Sequence, residues 1–246
     1  KVIVATGSLE RPLIFNNNDR PGIMLSSAVK KYADHYGVIC GKKNVFFTNN
    51  DSAYESAISL HKKGIKIQAI IDIRENSKSS IIQEAINLGI KIYWSHTVVD
   101  TFGYKKLNKI SLMKLSDDGQ STIGSKINID CDCLGISGGW TPAVHLFTQS
   151  GGKLKFRDKD QVFIPNIYPS KQISIGSCNG DFSLNEIIKN CSNSLKKFLE
   201  IENTEYENLE IINPIETDKR NIWLLPSDKV IGKTKPFVDY QNDATA

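Results

Sequence analysis

Strands and helices alternate through residues 45–94, and this alternation limits the possible folds of the chain more than any other feature. The predicted strands cover residues 45–48, 67–73 and 90–94, and the predicted helices cover residues 52–63 and 79–88. Gly64 and Gly89 follow the two helical stretches, where glycine commonly ends a helix. Strands that alternate with helices of about ten residues predict right-handed βαβ units, and therefore a parallel sheet.

A different pattern follows residue 94. Apolar and polar side chains alternate on both sides of the sequence SDDGQ, which predicts an antiparallel meander with a turn at residues 117–119. The run CDCLGISGG predicts a further buried strand that ends in two glycines, and QISIGSCNGDFSLNEII repeats the order strand, glycine turn and helix. The predicted fold class is therefore α/β, with a central parallel sheet, helices on one side and the meander on the other.

Composition excludes several classes of protein. With 246 residues, 40% of them hydrophobic, the chain is long enough to bury a sizeable core. Its net charge of +4 is spread along the chain without a basic and aromatic cluster, so we predict no nucleic-acid partner. No run of about 18 apolar residues occurs, so no membrane span is predicted. The five cysteines are odd in number and lack C-x-x-C spacing, which favours a reducing, cytoplasmic location.

Two of the cysteines, Cys131 and Cys133, lie close together in the strand-like sequence INIDCDCLGIS. Strand alternation would place both on one face, too close in sequence for an easy disulfide and without a nearby histidine to complete a metal site. Because free cysteine packs as a small apolar residue, we predict core packing for both rather than redox or metal chemistry.

Several longer strings carry a resemblance to a known family. VIVATGSLERP, DCDCLGISGGWTP and ISIGSCNG resemble strand-and-turn segments of flavoprotein oxidoreductases with two dinucleotide-binding domains. More narrowly, ATGSLERPLIFNNNDRPGIML, TNNDSAY, SGGWTPAVHLFTQSGGKL and FVDYQND together resemble the alpha subunit of heterotetrameric sarcosine oxidase. The resemblance runs over nearly the whole chain.

The resemblance implies a Rossmann-like second domain inserted into the C-terminal part of a first NAD/FAD-type domain. The expected divisions are residues 1–40 for the last strand of the first domain and a linker, 41–128 for the inserted domain, 129–202 for the return to the first domain, and 203–246 for a linker and tail. The sequence opens in an apolar strand without a Met and ends without a capping element. We therefore expect it to be a piece of a longer protein.

The resemblance also implies cofactors and partners. NAD would bind the first domain in the full-length subunit, and seven residues at the turns that follow its strands are the expected contacts: Thr6, Gly7, Gly176, Ser177, Asn179, Gly180 and Leu184. The alternative is that these glycines simply end strands in tight turns. FAD, FMN and folate are implied for the assembled complex but not for this segment, and beta, gamma and delta subunits are the implied partners.

The turn TNNDSA, residues 48–53, lies where a dinucleotide-binding domain carries G-x-G-x-x-G. Thr48, Asn50 and Ala53 hold the three glycine places. Asn50 would fill the volume that a pyrophosphate needs, although asparagine tolerates the left-handed conformation that such a turn can require. Asp72 stands about 20 residues on, where an acid would bind the ribose. We predict a retained fold with a vacated nucleotide site, and the alternative is a nucleotide bound at the helix N-terminus.

No catalytic group is predicted. The four histidines have no partner at informative spacing, and no nucleophile, paired acid or metal-ligand set is found. The family reaction is the demethylation of sarcosine to glycine with production of hydrogen peroxide, and the isolated segment is expected to be inactive and to lack stoichiometric NAD or flavin. Two alternatives stay open: a subunit of a related opine-, proline- or glycine-oxidising flavoenzyme, and a non-catalytic scaffold.

Overall fold

The computed structural model describes residues 1–200, 220–229 and 233–246. The strands in chain order are β1 (Val2–Val4), β2 (Ser8–Glu10), β3 (Ile23–Leu25), β4 (Asn44–Thr48), β5 (Ile67–Asp72), β6 (Ile92–Trp94), β7 (His96–Phe102), β8 (Lys109–Leu115), β9 (Thr122–Asp130), β10 (Cys133–Ser137), β11 (Trp140–Pro142), β12 (Lys153–Arg157), β13 (Val162–Ile167), β14 (Gln172–Ser174), β15 (Phe237–Asp239) and β16 (Ala244–Thr245). The α-helices are α1 (Ser26–Tyr36), α2 (Ser52–Lys62), α3 (Ser80–Asn87), α4 (His145–Gln149) and α5 (Leu184–Leu199). None of the helices in these residues is long and apolar enough to cross a membrane.

The described chain divides into two compact units. The first unit contains Lys1–Glu10 and residues 140–200, and the second contains Arg11–Gly139 with residues 220–229 and 233–246. Each unit is therefore built from segments that are distant in sequence.

A five-stranded parallel sheet forms the middle of the second unit, with the strand order β3-β10-β4-β5-β6. All five residues of β4 and of β10 are buried, because both strands are covered on both faces. The predicted βαβ units are confirmed: α2 joins β4 to β5, and α3 joins β5 to β6.

The sheet separates two apolar layers. On one face Phe46 packs with buried residues of α1, α2 and α3, among them Tyr54. On the other face Val45 and Phe47 pack with buried residues of β7 and β8, including Leu112. Alternation along β4 thus sends neighbouring side chains to opposite layers. The antiparallel sheet β7-β8-β9 is the predicted meander, so the second unit has the expected three layers.

The two units divide the chain at other positions than those expected from the resemblance. The expected divisions at 40/41 and 128/129 stay predictions, and the chain passes from one compact unit to the other at Glu10/Arg11 and Gly139/Trp140. The reason is hydrogen bonding within the sheet: β3 and β10 pair with each other, and β10 also pairs with β4. Residues 203–219 and 230–232 of the expected tail, 203–246, lie outside the described residues, and residues 220–229 and 233–246 belong to the second unit.

The first unit is built from short strand pairs. β1 pairs parallel with β14, β2 pairs antiparallel with β11, and β12 and β13 form an antiparallel hairpin. The helix α5 follows the 3-10 turn Gly176–Asn179 after β14. This is the predicted order of strand, glycine turn and helix.

Candidate functional site

Two paired strands of the first unit bring several of the predicted cofactor residues to one sheet end. Val4 of β1 lies opposite Ser174 of β14 in parallel register. Thr6 and Gly7 therefore leave the strands at the same end as the 3-10 turn Gly176–Asn179. The carboxyl ends of parallel strands are where α/β sheets bind ligands.

Gly7 and Gly176 leave open space beside the backbone. Their φ angles are +77° and +74°, in the region that favours glycine. A Cβ atom on Gly7 would meet no atom within 4 Å, and one on Gly176 would reach only Ile187 Cγ2, at 4.0 Å. Packing among the described residues thus does not require glycine at either position. The backbone conformation favours it, and the open space would let a ligand come close.

The side chains of Thr6 and Asn179 have partners within the first unit. Thr6 Oγ1 donates a hydrogen bond to the carbonyl oxygen of Ala143 at 2.6 Å. The hydroxyl of Tyr168 donates to Asn179 Oδ1 at 2.7 Å. Both contacts hold the turns in place.

The remaining three predicted residues have different surroundings. Gly180 is a packing position, because a Cβ there would lie 2.8 Å from Ile164 Cγ2. Ser177 lies in the 3-10 turn, and Leu184 is 60% exposed at the first position of α5. The 3-10 turn and a short connection precede α5, which begins at Leu184.

The second unit carries the glycine-less turn at the carboxyl end of β4. Thr48 is fully buried, and its Oγ1 donates to the carbonyl oxygen of Asn50 at 2.9 Å. Asn50 Nδ2 donates to the carbonyl oxygen of Ser137, at the end of β10, at 3.2 Å. Asn50 Oδ1 accepts from the backbone N–H of Ser52, the first residue of α2, at 2.8 Å. The Asn50 side chain therefore fills the position between two strand ends and a helix N-terminus.

The turn does not adopt the left-handed backbone conformation that asparagine tolerates. Asn50 is not among the residues with positive φ. Side-chain hydrogen bonds hold the turn instead, so the left-handed conformation is not needed.

Asp72 ends β5 as expected, but its carboxylate is engaged by protein groups. Arg74 Nη2 donates to Asp72 Oδ2 at 2.7 Å, and Arg74 Nη1 donates to Asp51 Oδ1 at 2.7 Å. The hydroxyl of Tyr54 also donates to Asp72 Oδ2, at 2.8 Å. We call Asp51, Tyr54, Asp72 and Arg74 the buried charge cluster. No more than 4% of any of these residues is exposed.

Burial and charge act in opposite directions within the buried charge cluster. Burial raises the pKa of Asp51, and the charge of Arg74 opposes that rise. Burial raises the pKa of Tyr54, and the neighbouring charge of Asp72 raises it further. For Arg74, burial alone would lower the pKa, but hydrogen bonds to Asp72 and the charges of both carboxylates raise it. Arg74 therefore stays charged and holds both carboxylates.

Residues 220–225, which we call the edge segment, lie along the same sheet end. The backbone N–H of Arg220 donates to the carbonyl oxygen of Asn49 at 3.0 Å. Asn49 Nδ2 donates to the carbonyl oxygens of Arg220 and Ile222 at 3.1 and 3.3 Å. The indole Nε1 of Trp223 donates to the carbonyl oxygen of Gly138 at 2.6 Å. The edge segment thus bonds to the turns that follow both β4 and β10.

Sequence reasoning did not identify Arg74, Tyr54 or the edge segment. The signal for Arg74 was its position two residues after Asp72, within reach of the same carboxylate. Arg220 and Trp223 are distant in sequence from the turn that they cover, and a single sequence contains no sign of that contact.

The two neighbouring cysteines do not share a face. Cys131 packs in the apolar layer beside the meander, and Cys133 packs in the layer beside the helices. Cys131 lies in the connection from β9 to β10, so strand alternation does not apply there. Burial raises the pKa of each thiol to about 12.

We predict that the native protein reacts with a thiol reagent at pH 8 only at Cys40 and Cys191. These two cysteines are partly exposed, whereas Cys131, Cys133 and Cys178 are buried. Burial keeps the reagent from all three thiols, and the raised pKa of Cys131 and Cys133 also leaves little thiolate there. The measurement is the number of fast-reacting thiols, with Cys40→Ser and Cys191→Ser as controls that remove them. Labelling of Cys131 or Cys133 before unfolding would contradict the prediction.

Two further polar side chains have structural contacts. Arg20 donates from Nε to Thr101 Oγ1 at 3.1 Å, so it ties the loop before β3 to β7. Among the histidines, His96 Nδ1 lies 2.6 Å from the carbonyl oxygen of Trp94. In the described residues no group of three or more potential ligands could hold a metal ion.

Solved structures of other proteins share the fold of this chain. Thioredoxin reductase from T. acidophilum aligns with a TM-score of 0.60 at 18% identity, over 81% of this chain and 65% of that one. Thioredoxin reductase from Lactococcus lactis aligns with a TM-score of 0.55 at 18% identity, over 81% of this chain and 66% of that one. The fold is therefore that of the FAD/NAD(P)-binding oxidoreductases. At this identity the likeness concerns the fold alone.

Sequence similarity points to one kind of subunit within that class. Over its whole length the chain is 32% identical to a protein named sarcosine oxidase subunit alpha from Corynebacterium sp. (strain P-1), of which it covers 26%. It is 28% identical to the protein of the same name from Rhizobium meliloti (strain 1021), with 99% of the chain aligned to 23% of that protein. The resemblance to sarcosine oxidase alpha subunits is confirmed, and the chain spans about a quarter of their length. No model of a protein family matches the chain.

Proposed function

We propose that the first unit forms one wall of an NAD site in an alpha subunit of the sarcosine oxidase type. The observation that carries this proposal is the pair Gly7 and Gly176, which follow adjacent parallel strands with positive φ and open space beside them. A dinucleotide needs such close backbone approach at the ends of parallel strands. Thr6, Ser177, Asn179, Gly180 and Leu184 complete the wall or support it.

We further propose that the second unit is structural and binds no nucleotide. Asn50 fills the turn, Asp72 is held by Arg74 and Tyr54, and the edge segment covers the sheet end. These contacts use the groups that would otherwise face a pyrophosphate and a ribose. The sequence also contains no G-x-G-x-x-G turn. The 246 residues by themselves should therefore hold neither NAD nor flavin in stoichiometric amount.

The activity belongs, in this proposal, to a cytoplasmic assembly with beta, gamma and delta subunits. That assembly would demethylate sarcosine to glycine and produce hydrogen peroxide, with FAD, FMN and folate bound outside this segment. The similarity to proteins named sarcosine oxidase subunit alpha supports the reaction class. A scaffold that binds no nucleotide at all is the second candidate, favoured by the closed sheet end of the second unit.

Two glycine variants of the full-length subunit, purified in its complex, test the NAD site. Gly7→Ala would add a Cβ to the proposed contact surface, and we expect NAD affinity to fall at least tenfold. Gly64→Ala is the matched control: its φ is +80°, a Cβ there also meets no atom within 4 Å, and it lies in the second unit. Both variants carry the same strain of roughly 1 kcal/mol for a side chain at positive φ.

The readout is NAD released on denaturation per subunit, together with NADH affinity by fluorescence. About one NAD per subunit in the parent and in Gly64→Ala, with loss in Gly7→Ala, would support the proposal. Absence of NAD from the parent complex would favour the scaffold. Equal affinity in the two glycine variants would remove Gly7 from the site.

A further inference from the structure

The carboxyl end of the five-stranded sheet contains a topological switch point between β4 and β10. From β4 the chain proceeds to β5 and β6 on one side, and it then returns to β10 on the other side. Open α/β sheets bind their ligands in the crevice at such a point. Any ligand of the second unit would therefore be expected between the turns that follow β4 and β10.

The edge segment lies at this point and contacts three neighbouring strand ends. It bonds to Asn49 after β4 and, through Trp223, to Gly138 after β10. Arg220 Nη1 donates to the carbonyl oxygen of Ile73, directly after β5, at 2.9 Å. A single short peptide thus bridges the strand ends at the switch point, where open α/β sheets bind ligands.

The side chains of Arg220 and Trp223 each make several specific contacts at this sheet end. Arg220 Nη2 also donates to the carbonyl oxygen of Asp117 at 2.6 Å, so its guanidinium bonds to two different turns. The Arg11 guanidinium carbon lies 3.8 Å from the centre of the Trp223 ring, which places the indole against a cation. A Cβ on Gly138 would lie 2.9 Å from Trp223 Cδ1, so the indole approaches the backbone closely.

The rest of the edge segment anchors it in the core. Leu225 is buried and belongs to the apolar layer beside the meander. The backbone N–H of Ile14 donates to the carbonyl oxygen of Trp223 at 2.8 Å, and the N–H of Leu225 donates to the carbonyl oxygen of Ile14 at 2.9 Å. This pairing fixes the register, so that Arg220, Trp223 and Leu225 each reach their own position.

We propose that the former nucleotide position of the second unit is a peptide-binding site, and that the edge segment is its ligand. The site recognises the pattern Arg-x-x-Trp-x-Leu. Carbonyl oxygens accept hydrogen bonds from the guanidinium of the arginine, and Arg11 and Gly138 contact the indole of the tryptophan. The leucine packs in the apolar layer beside the meander. In the parent chain the site is occupied by residues 220–225 of the same molecule. Because that ligand is tethered, its effective concentration is high and a free peptide cannot displace it.

The test is binding of a fluorescein-labelled peptide with the sequence of residues 218–227 to the complete chain and to Arg220→Ala/Trp223→Ala/Leu225→Ala. The triple variant removes all three recognition side chains from the tethered segment, so we expect saturable, micromolar binding to it and binding at least 100-fold weaker to the parent. A peptide with all three positions changed to alanine is the control and should bind to neither. Circular dichroism verifies that the variant is folded, which we expect because the other buried residues of the layer beside the meander remain.

A second measurement applies even if the triple variant does not fold. In the parent, the amide of Arg220 donates to the carbonyl oxygen of Asn49 and the amide of Leu225 donates to the carbonyl oxygen of Ile14, so both should exchange with deuterium slowly. The variant Asn49→Ala keeps this carbonyl but loses the two Nδ2 bonds to the carbonyl oxygens of Arg220 and Ile222, so exchange at Arg220 should accelerate. Rapid exchange of these amides in the parent would overturn the proposal. So would a folded triple variant that fails to bind the peptide, equal binding by parent and variant, or micromolar NADH binding to the parent.

Discussion

Replacing Arg74 by methionine is expected to lower the free energy of unfolding by roughly 3–5 kcal/mol. The Arg74 side chain is 4% exposed and pairs with Asp51 and Asp72, each at 2.7 Å. Methionine has a similar length, so most of the packing is retained while both carboxylates lose their counter-charge. An unpaired buried charge is far more unfavourable than a buried pair. Urea denaturation at pH 7 measures the effect.

The pH dependence of the Arg74→Met variant has a definite sign. Burial raises the pKa of Asp51 even with Arg74 present, and Arg74 opposes the rise. Without Arg74 the pKa in the folded state rises further above its unfolded value, so the folded variant binds protons more tightly than the unfolded chain. Its stability should therefore rise as the pH falls, and the deficit relative to the parent should be smaller at pH 5 than at pH 8.

Two further variants separate burial from charge. Lys62→Met breaks the exposed pair with Glu84 and should change the unfolding free energy by no more than about 0.5 kcal/mol. The triple variant Asp51→Asn/Asp72→Asn/Arg74→Met removes all three charges and should recover a large part of the loss. A triple variant no more stable than Arg74→Met would mean that lost packing, not unpaired charge, causes the destabilisation.

The regular elements of the second unit could be predicted because their signals are local. The periodicity of residues 45–94 gave strands and helices whose observed bounds differ by at most two residues, with α2 ending at Lys62 rather than Lys63. The unit boundaries could not be predicted this way. The sequence of β10 predicts a buried strand but does not indicate which unit contains it. Only its pairing with both β3 and β4 assigns it to the second unit.

For the turn TNNDSA, the local sequence predicts the positions of the residues but not all of their contacts. The expectation that Asn50 occupies the pyrophosphate volume rests on side-chain size, and the observed hydrogen bonds are consistent with it. The position of Asp72 at the end of β5 also follows from spacing. Its contact with Arg74 is local in sequence, but its hydrogen bond from Tyr54 depends on the packing of α2 against β5, which spacing does not reveal. The NAD contacts assigned to the first unit remain predictions.

Two of the strings that carried the family resemblance lie against each other. Asn18, from the string with NNND, exchanges two hydrogen bonds with the backbone of Phe237, from FVDYQND, at 2.9 and 2.8 Å. Asn16 Oδ1 likewise accepts from the N–H of Lys235 at 2.8 Å. The asparagine side chains thus act as partners for a distant backbone segment. This explains their residue type without a catalytic role, and no sequence pattern predicts the pairing.

The variant Asp100→Ala is expected to lower the free energy of unfolding by roughly 2–4 kcal/mol, because it leaves buried donors without an acceptor. Asp100 is 5% exposed. Its Oδ1 accepts hydrogen bonds from Asn16 Nδ2 at 2.8 Å, from Asn17 Nδ2 at 3.0 Å and from the backbone N–H of Thr101 at 3.0 Å. Thermal or urea unfolding of the variant gives the size of the effect.

The variant Asp100→Asn decides whether hydrogen bonding or charge dominates at this position. An asparagine oxygen in place of Oδ1 retains all three acceptor contacts, and only the ion pair of Oδ2 with the half-exposed Lys229 is lost. Since such a pair contributes at most about 1 kcal/mol, Asp100→Asn should be much less destabilised than Asp100→Ala. Equal destabilisation of the two variants would show that the negative charge of Asp100, rather than its acceptor oxygen, holds residues 16–18 against β7.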